Sequence, residues 1–443
     1  MRSRLIPAAL VVAWIFLLPV AGFSKADPKQ EEITYRYLET FANVLSILQE
    51  KYVEEIEAKD AIEGAINGLL LSLDPHSAYL KPENYREFRD ETDGSFTGIG
   101  IRITLEEGVI TVISPIADTP ADKAGIKAHD KILKIDGVPT KGKTPFDAVK
   151  IMRGPKGTEV TLSIFRDGWE TSRDFTLRRS EIPLLSVKSL LLKPGFGYLR
   201  IANFQRNTTN ELKQHLDDLQ ESSPLQGIIL DLRNNPGGLL DQAVSVSDLF
   251  LEQGLIVYTR GRNKEQDLTF EAKATNTLGR FPLVLLVNEG TASASEIVAG
   301  AVQDHRRGVI VGTKTFGKGS VQSIIPLNDG AGLKMTTAHY SPPLGRSIQA
   351  TGITPDVTVK VQNGGSTETV KTNTSRTTRE ADLENHFSPQ GDGTPEAAQT
   401  DALSAEASQR LSSDNQLQAA FDILTSLALY ASYDSESGVP LSN

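Results

Sequence analysis

Three short stretches carry residue types that could do chemistry. The first is NEGTASASE, residues 288–296. It follows the apolar run FPLVLLV and leads into the small residues of SEIVAGAVQD. A continuous apolar run of this length predicts a strand buried on both faces. The small residues after it suit a tightly packed helix. Ser293 therefore falls at a strand-to-helix turn, where a hydroxyl is exposed at the sheet end beside unpaired N–H groups. Such a serine is either a nucleophile with an oxyanion hole at hand, or simply the helix cap.

A serine nucleophile needs a base. The six histidines are His76, His129, His215, His305, His339 and His386, and none stands in a setting that suggests a Ser-His pair. His305 is nearest in sequence, but it falls at the far end of the helix beside Arg306 and Arg307. A lysine does the same work once burial brings its pKa toward neutrality. The second stretch, GTKTFGKGSVQ at 312–322, supplies Lys318 between Gly317 and Gly319, where backbone can approach closely. If the segment is extended, Lys318, Ser320 and Gln322 share a face, and Gln322 can hold the lysine amine. Gly312, Gly317 and Lys318 also match the GxxxxGK spacing of a phosphate loop. Gly319 stands where that loop needs Ser or Thr for its metal, so nucleotide binding is not expected. The third stretch is DLRNNPGG, 231–238. A strand ends at Asp231, and glycine N–H groups in the turn can face a developing oxyanion. A plain strand-to-helix turn is the alternative.

The elements around these stretches predict a multidomain α+β chain. Apolar residues at helical spacing predict an N-terminal helical region over 31–94. Asp74 and His76, in LDPHSAYLKPENYREF, fit a capped turn between helices rather than a metal site. Short alternating runs over 95–180 predict a small mixed-β domain containing one helix, PFDAVKIMRG. Strands alternating with helices over 181–360, joined by part of 60–94, predict an α/β layered core. Residues 361–412 read as a polar linker and 413–443 as a C-terminal helix that docks on its own domain or on a partner.

Composition bounds the function. The 443 residues are 39 % hydrophobic and 23 % charged, as in ordinary soluble globular proteins. The net charge of −10 argues against nucleic acid as a partner. The absence of cysteine excludes thiolate nucleophiles, thiolate metal sites and disulfides. Residues 1–26 have the basic start, apolar middle and small-residue end of a secretory signal, interrupted by Pro7 and Pro19. Export to the periplasm or cell envelope is expected, with an uncleaved membrane anchor as the alternative.

FTGIGI (96–101), DLRNNPGG, NEGTASASEIVAGAVQD, TFGKGSVQ (315–322) and GRSIQATGITPD (345–356) follow one another in this order. Together they resemble the carboxyl-terminal processing peptidases, also called tail-specific proteases, over about residues 35–360. The resemblance implies an exported serine endopeptidase with a Ser-Lys dyad and no metal or organic cofactor. It puts the nucleophile on Ser293, the general base on Lys318 and the lysine-orienting group on Gln322. The oxyanion donors become the N–H groups of Gly237, Gly238 and Ala294. Asp304, on the same helix face as Ser293, takes a supporting role, although helix-end solvation explains it equally well. Residues 95–180 become a PDZ domain that seats an apolar C-terminal tail as an added strand. Its carboxylate loop is Gly98, Ile99, Gly100 and Ile101, and Val149 and Met152 line the opposite helix. Arg153 then either couples peptide binding to catalysis or caps that helix. The first helices and the last one are implied dimer elements, and the need for an adaptor protein stays open. Two departures stand out. Thr291 replaces a common serine, and His129 stands where a glycine is usual, at a turn expected to need positive φ. The rival readings are a silent PDZ scaffold and an acyl hydrolase or amidase for small molecules.

Overall fold

The structure, a computed structural model, describes residues 28–362 and 404–437. The predicted signal at 1–26 and residues 363–403 of the predicted linker lie outside the described residues. The chain divides into two compact units, Met1–Pro75 and His76–Asn443.

In the first unit, α1 (Pro28–Lys51) and α2 (Ala58–Leu71) form the predicted helical region. The apolar positions of α1 recur at helical spacing, yet Leu38, Phe41, Val44 and Leu48 remain exposed.

The second unit begins with β1 (Ala78–Leu80), α3 (Pro82–Asp93) and β2 (Ser95–Gly98). Pro82 starts α3 at a position where its missing N–H costs nothing, and Gly94 ends it at φ +75. The mixed-β domain follows as β3 (Ile101–Glu106), β4 (Val109–Pro115), α4 (Pro120–Lys123), β5 (Lys131–Ile135) and β6 (Val138–Pro139). It is completed by α5 (Pro145–Met152), β7 (Glu159–Phe165) and β8 (Arg173–Arg178). The sheet order is β3-β4-β5-β7-β8, all antiparallel. Inward residues such as Ile110, Val112, Ile132, Leu162 and Ile164 are fully buried. Thr144 and Asp147 cap α5 reciprocally, which fixes where that helix starts. β9 (Ser180–Pro183) then pairs with β2, Phe96 opposite Ile182, so one two-stranded ribbon carries the chain into and out of this domain.

The core is a six-stranded sheet, β10 (Val187–Lys193), β11 (Phe196–Ile201), β12 (Gly227–Asp231), β15 (Leu283–Val287), β16 (Val309–Gly312) and β19 (Val357–Thr358). All neighbours from β11 onward are parallel. GIILD and LVLLV are buried at every position because both faces of the sheet are covered. On one face lie α6 (Thr208–Ser222), α7 (Leu240–Asp248) and α8 (Ala294–Asp304), packed on Leu230, Leu285 and Val287. On the other lie α9 (Ala405–Ser413) and α10 (Asn415–Ser437), packed on Ile229, Val284 and Leu286. The C-terminal helix therefore docks on its own domain. Leu424 sits so close that a Cβ on Gly227 would meet it at 2.9 Å. A second sheet combines β1, β13 (Gln253–Gly261), β14 (Thr269–Lys273), β17 (Ser320–Pro326) and β18 (Gly332–Ser341).

Two expectations are corrected. The polar tract predicted as linker to residue 412 contains α9, whose Ala407 and Leu411 are buried against the sheet. The stretch around Pro75 and Pro82 is not only a turn between helices, since β1 pairs there with β18. Among the described residues no helix is long and apolar enough to cross a membrane, and no group of His, Asp and Glu is arranged to hold a metal.

Candidate active site

β12 and β15 are adjacent parallel strands, and the turns at their carboxyl ends meet. Thr291 lies in the turn after β15 and is fully buried. Its hydroxyl donates to the Leu232 carbonyl at 2.8 Å and accepts the Asn288 N–H at 3.0 Å. Ser293 is the N-cap of α8, and its backbone stands at φ 55, ψ −117. A non-glycine residue there costs on the order of 1–3 kcal/mol and persists only where the surroundings impose it. Ser295 is fully buried and donates to the Asn235 carbonyl at 3.1 Å. Of the two serines, Ser293 is the one that lines a cleft.

The turn after β12 is pressed against Ser293. Gly237 has φ +104, and a Cβ on it would lie 2.8 Å from the Ser293 Cβ. Gly238 has φ +144, and a Cβ there would strike the Phe204 carbonyl oxygen. Glycine is required at both by conformation and by space. Side-chain amides brace the turn. The Asn234 N–H donates to Asn288 Oδ1 at 2.8 Å, and Asn235 Nδ2 donates to the Ile201 carbonyl at 2.9 Å. The Gly237 N–H donates to Asn235 Oδ1 at 2.9 Å, so this candidate oxyanion donor is already committed. Among the described residues no acceptor takes the N–H of Gly238 or Ala294.

Lys318 reaches the site through a group that sequence reasoning missed. Glu296 is fully buried and accepts four bonds. They come from the N–H groups of Ser293 (2.9 Å), Lys318 (2.9 Å) and Gly317 (2.8 Å), and from Thr315 Oγ1 (2.5 Å). Burial pushes its carboxyl above the usual range, while the bonds from Thr315 and the three N–H groups pull back. The signal was present as Ser-x-x-Glu, the capping-box spacing. Only the fold shows that the same carboxylate also receives the lysine loop.

Lys318 lies in the loop before β17, and a β-bulge separates Val321 from Gln322. Simple alternation therefore does not govern this segment, yet Lys318, Ser320 and Gln322 all line the cleft. Gln322 Nε2 donates to Thr336 Oγ1 at 2.9 Å and to Ser320 Oγ at 3.3 Å. Its Oε1 is buried without a partner among the described residues, so the expected bond from the lysine amine to this oxygen is not made here. The cleft has a volume of about 630 Å³. Tyr85 and Phe88 of α3 form one wall, and Leu240, Ile297, Val321 and Ile324 supply further apolar surface. Among the described residues no histidine lines it. His305 Nε2 donates to the Leu255 carbonyl at 2.7 Å, at the far end of α8.

Asp304 does not line the cleft. It is buried at the end of α8, where it accepts the Leu344 N–H and pairs with Arg346. Its place is to fix the 342–346 turn.

In the mixed-β domain, Ile99 and Met152 are 2 % and 4 % exposed and belong to the core rather than to an open groove wall. Val149 packs partly buried beside them. Gly98 pairs with Ser180 in the ribbon. The carbonyls of Ile99 and Gly100 accept Ala121 and Ile116, whereas no described acceptor takes their N–H groups. Gly100, at φ +79, turns the loop where a side chain would strike Thr119, and Ile101 opens β3. His129 does adopt positive φ, at 67. The Arg153 N–H caps α5 on the Val149 carbonyl. Its guanidinium lies 4.8 Å from the Phe96 ring centroid, and its charge opposes the rise that burial imposes on Asp90 of α3. Arg153 thus lies over Phe96 of β2.

Comparison with known proteins follows this geometry. The family described as peptidase family S41 matches residues 195–359, a PDZ domain matches 97–177, and the activating protease CtpB N-terminal domain matches 19–84. A carboxy-terminal-processing protease of Bartonella bacilliformis is 48 % identical over 333 residues, covering 74 % of this chain and 76 % of its own. A carboxyl-terminal-processing protease of Synechocystis is 42 % identical over 322 residues, covering 71 % and 75 %. Among solved structures, a photosystem II D1 C-terminal processing protease is 31 % identical, covers 74 % of this chain and 86 % of its own, and has a TM-score of 0.43.

Proposed function

The chain belongs to the carboxy-terminal processing proteases of peptidase family S41, and from that premise we propose that it is an exported Ser-Lys endopeptidase that takes envelope proteins by their apolar C-terminal tails. The observation that carries this reading is the shared carboxylate of Glu296, which joins the backbone of Ser293 to that of Lys318 beside the glycine turn.

The neutral Lys318 amine takes the proton of Ser293, and Oγ attacks the scissile carbonyl carbon. The N–H groups of Gly238 and Ala294 receive the oxyanion, each such donor being worth about 10²–10³ in rate. Lys318 returns the proton to the leaving amine, which departs as the acyl-enzyme forms. The same lysine then takes a proton from the water that attacks the ester carbonyl and hands it to Ser293 Oγ as the ester bond breaks, which frees Ser293 and the cleaved carboxylate. Gln322 Oε1 is the acceptor that steadies the amine during this cycle. The substrate tail adds beside β3, with its carboxylate on the N–H groups of Ile99 and Gly100. Residues 1–26 support export. The exposed apolar face of α1 and the exposed Leu429, Tyr430 and Tyr433 of α10 support self-association as a homodimer or higher oligomer.

The test uses one unstructured substrate in two forms, with a free apolar C-terminus and with that terminus amidated. The free form is expected to be cut faster, and a small ester to show no such preference. Equal cutting of both protein forms removes the tail-recognition part of the reading.

A further inference from the structure

We infer that Tyr340 is a further positioning residue of the dyad, setting the Lys318 backbone from its carbonyl side at the cleft that Ser293 also lines. The inference rests on the Ser-Lys reading above.

Tyr340 is 3 % exposed, and its ring belongs to the main hydrophobic core. β18 carries it between two partners, with Tyr340 opposite Thr259 of β13 and His339 opposite Ser320 of β17. The ring is therefore fixed by packing and by two strand ladders. Tyr340 joins Ser293 and Lys318 in the lining of the cleft. Its hydroxyl donates to the Lys318 carbonyl. The Tyr340 backbone N–H donates to the next carbonyl, Gly319, at 2.9 Å. One residue thus orients two successive peptide groups at the base. A phenol has a single proton, and here it is committed to the Lys318 carbonyl.

Glu296 does the complementary work. It takes the N–H groups of Gly317 and Lys318, and Tyr340 takes the carbonyls of Lys318 and Gly319. Glu296 also takes the Ser293 N–H, and Tyr340 lines the same cleft as Ser293. The loop is thus pinned on its two polar edges. Burial and the neighbouring Glu296 charge raise the Tyr340 hydroxyl well above 10. It therefore remains a donor across the neutral and alkaline range in which a lysine base works.

Tyr340→Phe removes one oxygen and leaves the ring packing intact. The predicted result is a kcat lowered on the order of 10²-fold, the cost of a small misplacement of a reacting group, with KM within about twofold. The thermal midpoint and circular dichroism should match wild type, and acylation of Ser293 by a fluorophosphonate probe should slow in parallel with kcat. A wild-type kcat in the Phe variant overturns the inference. So does a loss of kcat that comes with a falling midpoint and a rising KM, because that marks packing rather than positioning. Ser293→Ala is assayed alongside. If it still cuts like wild type, the Ser-Lys reading itself has failed. If it is silent while Tyr340→Phe is fully active, only the inference about Tyr340 has failed.

Discussion

Ser293 and Lys318 share one carboxylate oxygen: Glu296 Oε2 accepts the backbone N–H of each at 2.9 Å. The two residues are 25 positions apart in the chain and come from different elements, the N-terminus of α8 and the loop before β17. Their separation is set by a buried anion rather than by loop packing alone. A displacement of about 1 Å between reacting groups can cost on the order of 10² in rate, so this anchor bears on catalysis as well as folding.

Glu296→Gln turns an acceptor into a group with an NH₂ facing backbone N–H donors. The expected outcome is a kcat lower by about 10²-fold with KM little changed, and stability lower by about 1–3 kcal/mol. Steady-state kinetics and urea unfolding measure the two effects separately. A variant with wild-type kcat would show that the dyad spacing is fixed by other contacts.

Arg233 ties the start of the glycine turn to the C-terminal helices. Its guanidinium bonds Asp231 on β12 and, at 2.9 and 2.7 Å, Asp414 between α9 and α10. Burial pushes the Asp414 carboxyl up, but the bonds and charge of Arg233 outweigh it and leave the group below 3.8. A carboxyl lowered by folding stabilises the fold above its unfolded pKa, and that contribution is lost as pH falls through the folded value. Asp414→Asn should therefore cost about 1–3 kcal/mol at pH 7, with the gap from wild type closing as pH is taken below about 4. Urea melts across that range report it. A gap independent of pH would mean that the charge of Asp414 is not what stabilises.

His129 occupies a left-handed conformation. A β-branched residue there pays about 1–2 kcal/mol for the crowding of its Cβ, whereas glycine pays none. His129→Val should lower the unfolding free energy by that amount, and His129→Gly should leave it unchanged within about 0.5 kcal/mol. Equal stability of the two variants would remove the backbone explanation.

Arg153→Met retains an apolar stem over Phe96 and removes the charge near Asp90. Turnover of a small ester should stay within about twofold, while cleavage of a tail-bearing protein falls by about 5–150-fold, the usual span of coupling between sites. Equal loss on both substrates would mean that Arg153 supports the fold and transmits nothing.

Much of the site was legible because chemical residue types sit where apolar runs stop. Ser293 ends LVLLV, Gly237 and Gly238 follow GIILD, and both strands are buried on both faces. Glu296 was hidden because a capping glutamate looks solvent-facing until the 315–318 loop folds over it. Tyr340 was hidden because, in GLKMTTAHYS, it reads as one more position of a strand. The alternation over Lys318, Ser320 and Gln322 is interrupted by a bulge that depends on pairing with β18, although all three line the cleft. The start of β13 is hard to read because DLFLEQG keeps an apolar pattern after α7 has ended at Asp248. α9 lacked contrast, because the composition of EASQRLSS continues the polar tract and only two of its residues are buried.

The central claim is that Ser293 attacks and Lys318 takes its proton. The direct measurement is digestion of an unstructured protein with an apolar C-terminus, followed by mass spectrometry, without metal or nucleotide. Wild type, Ser293→Ala and Lys318→Ala are run side by side over a range of pH. The account predicts cleavage by wild type that strengthens toward alkaline pH, and none by either folded variant. Equal cleavage by all three proteins, or a wild-type rate that stays flat down to about pH 5, would contradict a lysine base.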